Sequence, residues 1–152
     1  MTNKNVFGST LIVFFCLGGL LLVGSGAYAQ TRDSSGSEQR AVDVKGIWSG
    51  TLYSRHSNVV PFTITVEISP DGSGHLIGKS SLSSDCLKGA KLQISVVGSK
   101  VVLAGSDDEG DNITVQGTVD ASGALLRSSY ILNGSATGKC ETDDGTGNLA
   151  KR

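Results

Sequence analysis

The 152-residue chain carries 13 Lys and Arg residues against 14 Asp and Glu residues, so its formal net charge is only −1. No cluster of basic residues interrupts this balance, which excludes the electrostatic footprint of a protein that binds nucleic acid or an anionic membrane surface. Aromatic residues make up 5% of the chain, too few for the stacking platforms that bind unpaired bases.

The first 29 residues are typical of a secretory signal peptide. Lys4 precedes an apolar run at residues 11–23, and the small residues after it end in Ala27-Tyr28-Ala29, an Ala-x-Ala cleavage site. We expect cleavage after Ala29, release to the periplasm or the exterior, and no membrane span afterwards. An uncleaved anchor is the alternative, because the apolar character extends back toward the roughly 20 residues that a span needs.

Residues 30–45 are polar, rich in Ser and charge, and without an apolar period. Such a segment buries too little surface to offset its own ordering entropy. We therefore predict a flexible linker at residues 30–45, followed by one domain at residues 46–152.

The domain alternates apolar and polar residues, and Gly, Asp, Asn or Ser clusters interrupt the alternation at short intervals, which indicates a β-meander. The clearest strand is at residues 60–68, where Phe62, Ile64, Val66 and Ile68 share one face. The same pattern predicts strands at residues 47–54, 75–82, 91–97, 101–106, 113–119, 124–132 and 146–151. The last of these has the weakest signal, because Leu149 is its one strong apolar residue.

A sheet of short antiparallel strands has two edges that invite aggregation, and closing the sheet removes both. We therefore predict an all-β fold, an antiparallel eight-stranded up-and-down meander closed into a small barrel. A two-sheet β-sandwich is the alternative, because it gives the same alternation.

In an up-and-down barrel, successive connections alternate between the two ends. The compact connections define what we call the plain end: residues 70–74, 98–100 and 120–123. The other connections define the elaborated end, whose opening we call the mouth: residues 55–58, 83–90, 107–112 and 133–145.

Cys86 and Cys140 both fall in connections at the elaborated end. In an oxidising compartment we expect them to form a disulfide, which would fold the two loops across the mouth as a partial lid. Buried free thiols are the alternative. A zinc site is not expected, because two cysteines without neighbouring histidines supply too few ligands.

The acidic residues Asp107, Asp108, Glu109 and Asp111 offer oxygen atoms to a cation, but their spacing does not match an EF-hand loop. We predict that they form a solvated hairpin tip and, with His56, the rim of a ligand or partner site. No nucleophile elbow or other catalytic motif is present in the sequence. The prediction is a protein without enzymatic activity, catalytic residues, metal or cofactor.

The tripeptide Gly46-Ile47-Trp48 at the head of the first strand resembles the G-x-W opening of the lipocalins, which are calycin-type up-and-down barrels. The resemblance implies that Trp48 plugs the plain end beneath a cation beyond the last strand, where Lys151 and Arg152 stand, and we assign this role to Arg152. An ordinary core position is the alternative for Trp48. The resemblance concerns the fold and its polarity and does not extend to a ligand.

The sequence therefore favours an exported binding protein that holds a small apolar or amphipathic ligand at the mouth of a barrel. The predicted wall residues are Ile64, Val66, Leu92, Ile94, Val115 and Tyr130. Two alternatives stay open: a module that binds a protein partner, such as a periplasmic inhibitor of a hydrolase, and a structural envelope protein whose barrel is filled.

Overall fold

The computed structural model describes residues 40–152, which form a closed antiparallel β-barrel. Its eight strands are β1 (Gly46–Ser54), β2 (Phe62–Pro70), β3 (Leu76–Leu82), β4 (Lys88–Val97), β5 (Lys100–Ser106), β6 (Asn112–Val119), β7 (Leu125–Asn133) and β8 (Asp143–Lys151). Each strand pairs with the next, and β8 closes the sheet by pairing with β1, where Trp48 stands opposite Lys151. The prediction of a closed up-and-down barrel is confirmed, and the sandwich alternative is wrong.

Two of the predicted segments fall wholly or largely outside this range. The predicted signal peptide at residues 1–29 and the linker as far as residue 39 lie outside the described residues. Within residues 40–152, no helix is long and apolar enough to cross a membrane.

Strand alternation fills the barrel interior. In β2, Ile64, Val66 and Ile68 are at most 4% exposed, whereas Thr65 and Glu67 between them face solvent. Large side chains from the other strands meet them in one core, among them Leu52, Leu103, Ile113, Val115, Tyr130 and Leu149. The six residues predicted to line a ligand cavity all belong to this core or pack against it. They therefore contribute to the packed core.

Three hairpins share a turn of the form Asp-x-x-Gly, and each places its glycine at a positive φ: Gly74, Gly110 and Gly123. In the first, the Oδ1 atom of Asp71 accepts the backbone N–H groups of Ser73 and His75 at 2.8 and 2.9 Å. Aspartate favours turns because its short side chain satisfies its own backbone in this way. The hydroxyl of Ser73 and these backbone donors hold the pKa of Asp71 below its ordinary value.

Strand β8 has few apolar side chains because its inward positions make room for other strands. A Cβ atom on Gly145 would stand 2.8 Å from Cε1 of Tyr130, and one on Gly147 would collide with Cδ2 of Leu52. Side chains from neighbouring strands occupy the space beside these two glycines. Strand β8 therefore closes the barrel while contributing few side chains to its core. This explains the weak strand signal in the sequence.

Trp48 lies at the plain end, with 2% of its surface exposed, and its indole Nε1 donates to the carbonyl of Val44 at 2.8 Å. The cation over its ring is Lys151, whose Nζ lies 5.8 Å from the ring centroid. The assignment of this role to Arg152 was wrong, because Arg152 follows on the outer face and donates to Ser49 Oγ at 3.2 Å. The alternation of β8 explains why Lys151 and not Arg152 faces the ring: residue 151 lies two positions after the buried Leu149 and so points to the same inward side.

The chain before β1 packs against this same end. Val44 is 1% exposed, and the Val42 backbone N–H donates to the carbonyl of Gly98 at 2.9 Å. The side chain of Lys151 also donates to the carbonyl of Asp43 at 3.0 Å. The end of the predicted linker is therefore part of the packed barrel from Val42 onward, because Val42 and Val44 pack against the core.

Candidate ligand site at the mouth of the barrel

A disulfide joins Cys86 to Cys140 and bridges the mouth, as predicted. Cys86 lies in the β3–β4 loop and Cys140 in the β7–β8 loop, and the Cα atoms are 4.8 Å apart. Strands β3 and β7 lie on opposite sides of an eight-stranded barrel, so the two loops meet across its opening. We call the bridged segments, residues 83–87 and 134–142, the lid.

Leu87 anchors the lid to the core. Its side chain is 1% exposed although its backbone has a φ of 39°, a left-handed conformation that is costly for a residue with a side chain. The register between β3 and β4 shifts beside it, between Ser80 and Ser81. The irregular backbone turns Leu87 under the lid, and its burial offsets the strain.

Asp111 holds the other half of the lid. It is fully buried, and its carboxylate accepts the backbone N–H groups of Ser135, Lys139 and Cys140 at 2.7, 2.8 and 3.0 Å. These hydrogen bonds, that of Ser135 first, keep the pKa of Asp111 below its ordinary value. The prediction of Asp111 as an exposed rim residue is wrong. Its carboxylate is buried because it accepts hydrogen bonds from backbone N–H groups of the β7–β8 loop that have no partner in a strand.

The other predicted rim residues lie at the same end of the barrel but turn toward the protein surface. Asp107 accepts backbone N–H groups of its own hairpin, Asp108 pairs with Lys91 at 3.0 Å, and the Glu109 carbonyl accepts a hydroxyl from Ser135 at 2.7 Å. His56 is exposed, with Nε2 3.7 Å from Asp144 Oδ1.

A cleft of about 340 Å³ opens beside the lid. Apolar side chains from the β1–β2 loop, β2 and β7 form one wall, namely Val59, Val60, Phe62 and Leu132. The disulfide at Cys86 and the polar residues Ser84, Asp85, Lys139, Glu141, Thr142 and Asp143 complete the lining. His56 and residues 107–111 are not among these lining residues. The predicted rim and the cleft are therefore two separate surfaces of the elaborated end.

Asp143 provides a buried carboxylate at the cleft. It is 6% exposed, and its two oxygens accept hydroxyl groups from Ser54 at 2.5 Å and from Tyr130 at 2.6 Å. Burial, and then the bond to Asp143, raise the pKa of Tyr130, so that its hydroxyl stays a donor. The ring of Phe62 stands edge-on to that of Tyr130, with centroids 5.6 Å apart. An apolar wall and a fixed polar group thus meet at one place.

The sequence interpretation missed Ser54 and Asp143, although the signal was present. Counting back from Leu149 in steps of two places residue 143 on the inward face of β8. The prediction instead assigns residue 143 to the connection at residues 133–145, because adjacent acidic residues are typical of a solvated loop. Asp144 does face outward, where Arg55 pairs with it at 3.1 Å.

A larger groove of about 540 Å³ runs over the outer wall of β2, β3 and β4. Its floor is Ile77, which is 43% exposed, and charged side chains of Glu67, Lys79 and Lys91 border it. All of these residues stand on the solvent side of the sheet and none presents a buried polar group. The mouth cleft is the better candidate because it combines apolar walls with a polar group fixed by hydrogen bonds.

Within residues 40–152, no group of three or more His, Cys, Asp or Glu side chains is placed to hold a metal ion. No protein-family model and no curated protein matches the sequence. The geometry of the mouth is therefore the basis for assigning a function.

Proposed function

We propose that this protein is an exported, non-enzymatic binding protein that holds a small amphipathic ligand in the cleft beside its lid. The observation that carries the proposal is the meeting of the apolar side chains of Phe62 and Leu132 with the buried carboxylate of Asp143 in one cleft. Its volume of about 340 Å³ is at the low end of the range for small-molecule sites. The ligand would sit at the mouth, because the interior is occupied by core side chains.

Two observations support export. The first is the leader sequence that ends at Ala29, and the second is the Cys86–Cys140 disulfide, a bond that persists in oxidising compartments. Kinship with the lipocalins is part of the same proposal. It is supported by the closed eight-stranded barrel and by the Lys151 cation over Trp48 at the plain end.

The cleft can be tested with two exposed valines at opposite ends of the barrel. Val60 borders the cleft and is 79% exposed, whereas Val97 is 72% exposed at the plain end. A neutral fluorescent probe, phenylnaphthylamine, should bind the mature protein saturably. Val60→Trp fills the cleft and should weaken binding about tenfold or more, which corresponds to about 1.4 kcal/mol. Val97→Trp should leave binding unchanged.

Equal effects of the two substitutions, or the absence of saturable binding, would show that the cleft is not a ligand site. In the second case, co-purification of a protein partner from the native secretome becomes the next measurement. Loss of that partner on substitution in residues 55–58 or 107–112, with thermal stability unchanged, would favour the partner-binding module over the ligand carrier.

A further inference from the structure

The buried carboxylate of Asp143 is hydrogen-bonded by hydroxyl groups alone. Ser54 and Tyr130 each donate one hydrogen bond to it. Within residues 40–152, no Lys, Arg or His side chain forms an ion pair with Asp143, although its neighbour Asp144 has both Arg55 and His56. The other buried carboxylate, Asp111, has three backbone N–H donors, whereas Asp143 has two hydroxyls. Buried carboxylates with so few donors are ordinarily paired with a cation, because neutral donors only partly replace the lost hydration.

The carboxylate also has unused hydrogen-bonding capacity. Each ionised oxygen has two acceptor sites, and one hydroxyl occupies one of them. Asp143 faces inward at the first position of β8 and borders the cleft. A donor in the cleft would therefore lie beside the residue that carries these free acceptor sites.

The charges around the cleft favour a positive occupant. Asp85 is already paired with Lys88 at 2.9 Å, which leaves Glu141 and Asp143 against Lys139 among the lining residues. Tyr130 donates to the carboxylate, and the ring of Phe62, which packs edge-on to that of Tyr130, lines the same cleft. Aromatic rings attract cations as carboxylates do. Next to them, Leu132 and the disulfide offer an apolar wall for the rest of the ligand.

We propose that the ligand of this cleft is a cationic amphiphile, an alkylammonium or arylalkylammonium compound, whose nitrogen pairs with Asp143 while its apolar body lies against Phe62 and Leu132. The inference rests on the proposed ligand site and names the chemistry that this site selects. The ammonium group supplies the missing countercharge and donates to the free lone pairs. Charge-assisted hydrogen bonds of this kind are about twice as strong as neutral ones.

Three probes that share an eight-carbon chain and differ only in the polar group test its contribution to binding: octylamine, octanol and octanoate. Isothermal titration of the mature, oxidised protein at neutral pH should show octylamine binding about tenfold more tightly than octanol, and octanoate binding more weakly than either. Equal affinities, or a preference for octanoate, would overturn the cationic assignment and leave the ligand site standing. If none of the three binds, the ligand site itself is wrong, and this proposal fails with it.

Two isosteric variants, one residue apart, test the role of the carboxylate. Asp143→Asn should reduce octylamine affinity to that of octanol, with octanol affinity unchanged. Asp144→Asn removes a carboxylate on the outer face and should keep the preference for the amine. An Asp143→Asn protein that still prefers the amine tenfold would overturn the proposal. The comparison of probes on the unsubstituted protein tests it even where Asp143→Asn does not fold.

Discussion

Asp111 accepts a hydrogen bond from the backbone N–H of Cys140, at 3.0 Å, so the residue that carries the disulfide is also fixed by a buried carboxylate. The disulfide ties this loop to the β3–β4 loop, and Asp111 ties it to the β5–β6 hairpin. The lid therefore has two anchors of different chemistry, and each can be removed separately. The position of the cleft wall depends on both.

Replacing Asp111 with Asn should loosen the β7–β8 loop. The amide has one acceptor oxygen, and its NH₂ group would face the backbone N–H groups of Lys139 and Cys140, which are themselves donors. We expect faster amide hydrogen exchange at both residues and a lower thermal midpoint. Asp108→Asn is the control, because that carboxylate is 92% exposed and its loss should leave both measurements unchanged. Equal behaviour of the two variants would contradict the anchor.

The same carboxylate should make the lid sensitive to acid. Because hydrogen bonds hold the native pKa of Asp111 below its ordinary value, its contribution to stability is complete above about pH 4 and is lost as the pH falls through the native pKa. Amide chemical shifts of Ser135 and Lys139 should titrate together over this acidic range. The titration should be absent from Asp111→Asn, and shifts that move in both proteins would point to another group.

The disulfide should contribute more to global stability than any other single bond. It closes a loop with a sequence separation of 54, for which the chain-entropy model gives about 4 kcal/mol. We expect the double variant Cys86→Ser, Cys140→Ser to lose that amount from its free energy of unfolding and so to unfold at a lower denaturant concentration. The unsubstituted protein, once a reductant has opened its disulfide, should match the double variant. Unchanged stability in both cases would mean that the lid packing alone holds the loops.

Most of the fold followed from one physical rule, the alternation of inward and outward residues. It is clearest in β2, where Ile64, Val66 and Ile68 are buried in sequence order. Loop parity then placed Cys86 and Cys140 at one end, and the disulfide confirms it. The alternation gives only a weak signal in β8, because the inward residues Gly145 and Gly147 have no apolar side chain.

The site was harder to predict, because an acidic residue in a sequence is expected to be exposed to solvent, and its actual environment depends on the fold. Asp111 and Asp143 are both buried, one satisfied by backbone N–H groups and the other by hydroxyls. These partners lie between 13 and 89 residues away along the chain. No local sequence pattern encodes such contacts, which exist only once the barrel has closed.

The plain end offers a test of the cation over the indole ring. Lys151→Met keeps the length of the side chain but removes both the charge over Trp48 and the hydrogen bond to the Asp43 carbonyl. We expect a loss of about 1 kcal/mol in the free energy of unfolding and a shift in the fluorescence maximum of Trp48, the one tryptophan of the chain. Arg152→Met removes a neighbouring cation that does not face the ring, so the fluorescence maximum should stay in place.

The inward glycines of β8 give the most direct test of the packing. Gly147→Ala would place a methyl group against Leu52 and the backbone of β1, and neither can retreat without opening the β1–β8 pairing that closes the barrel. Overpacking of this kind costs about 1–3 kcal/mol, so the variant should unfold at a lower temperature and lose protection of β1 amides first. Gly72→Ala is the matched control: it lies in a plain-end turn with nothing within 4 Å of a new Cβ atom. That substitution should be neutral or slightly stabilising, because alanine restricts the unfolded chain. If both variants behave alike, β8 does not pack against β1 as closely as the structure has it.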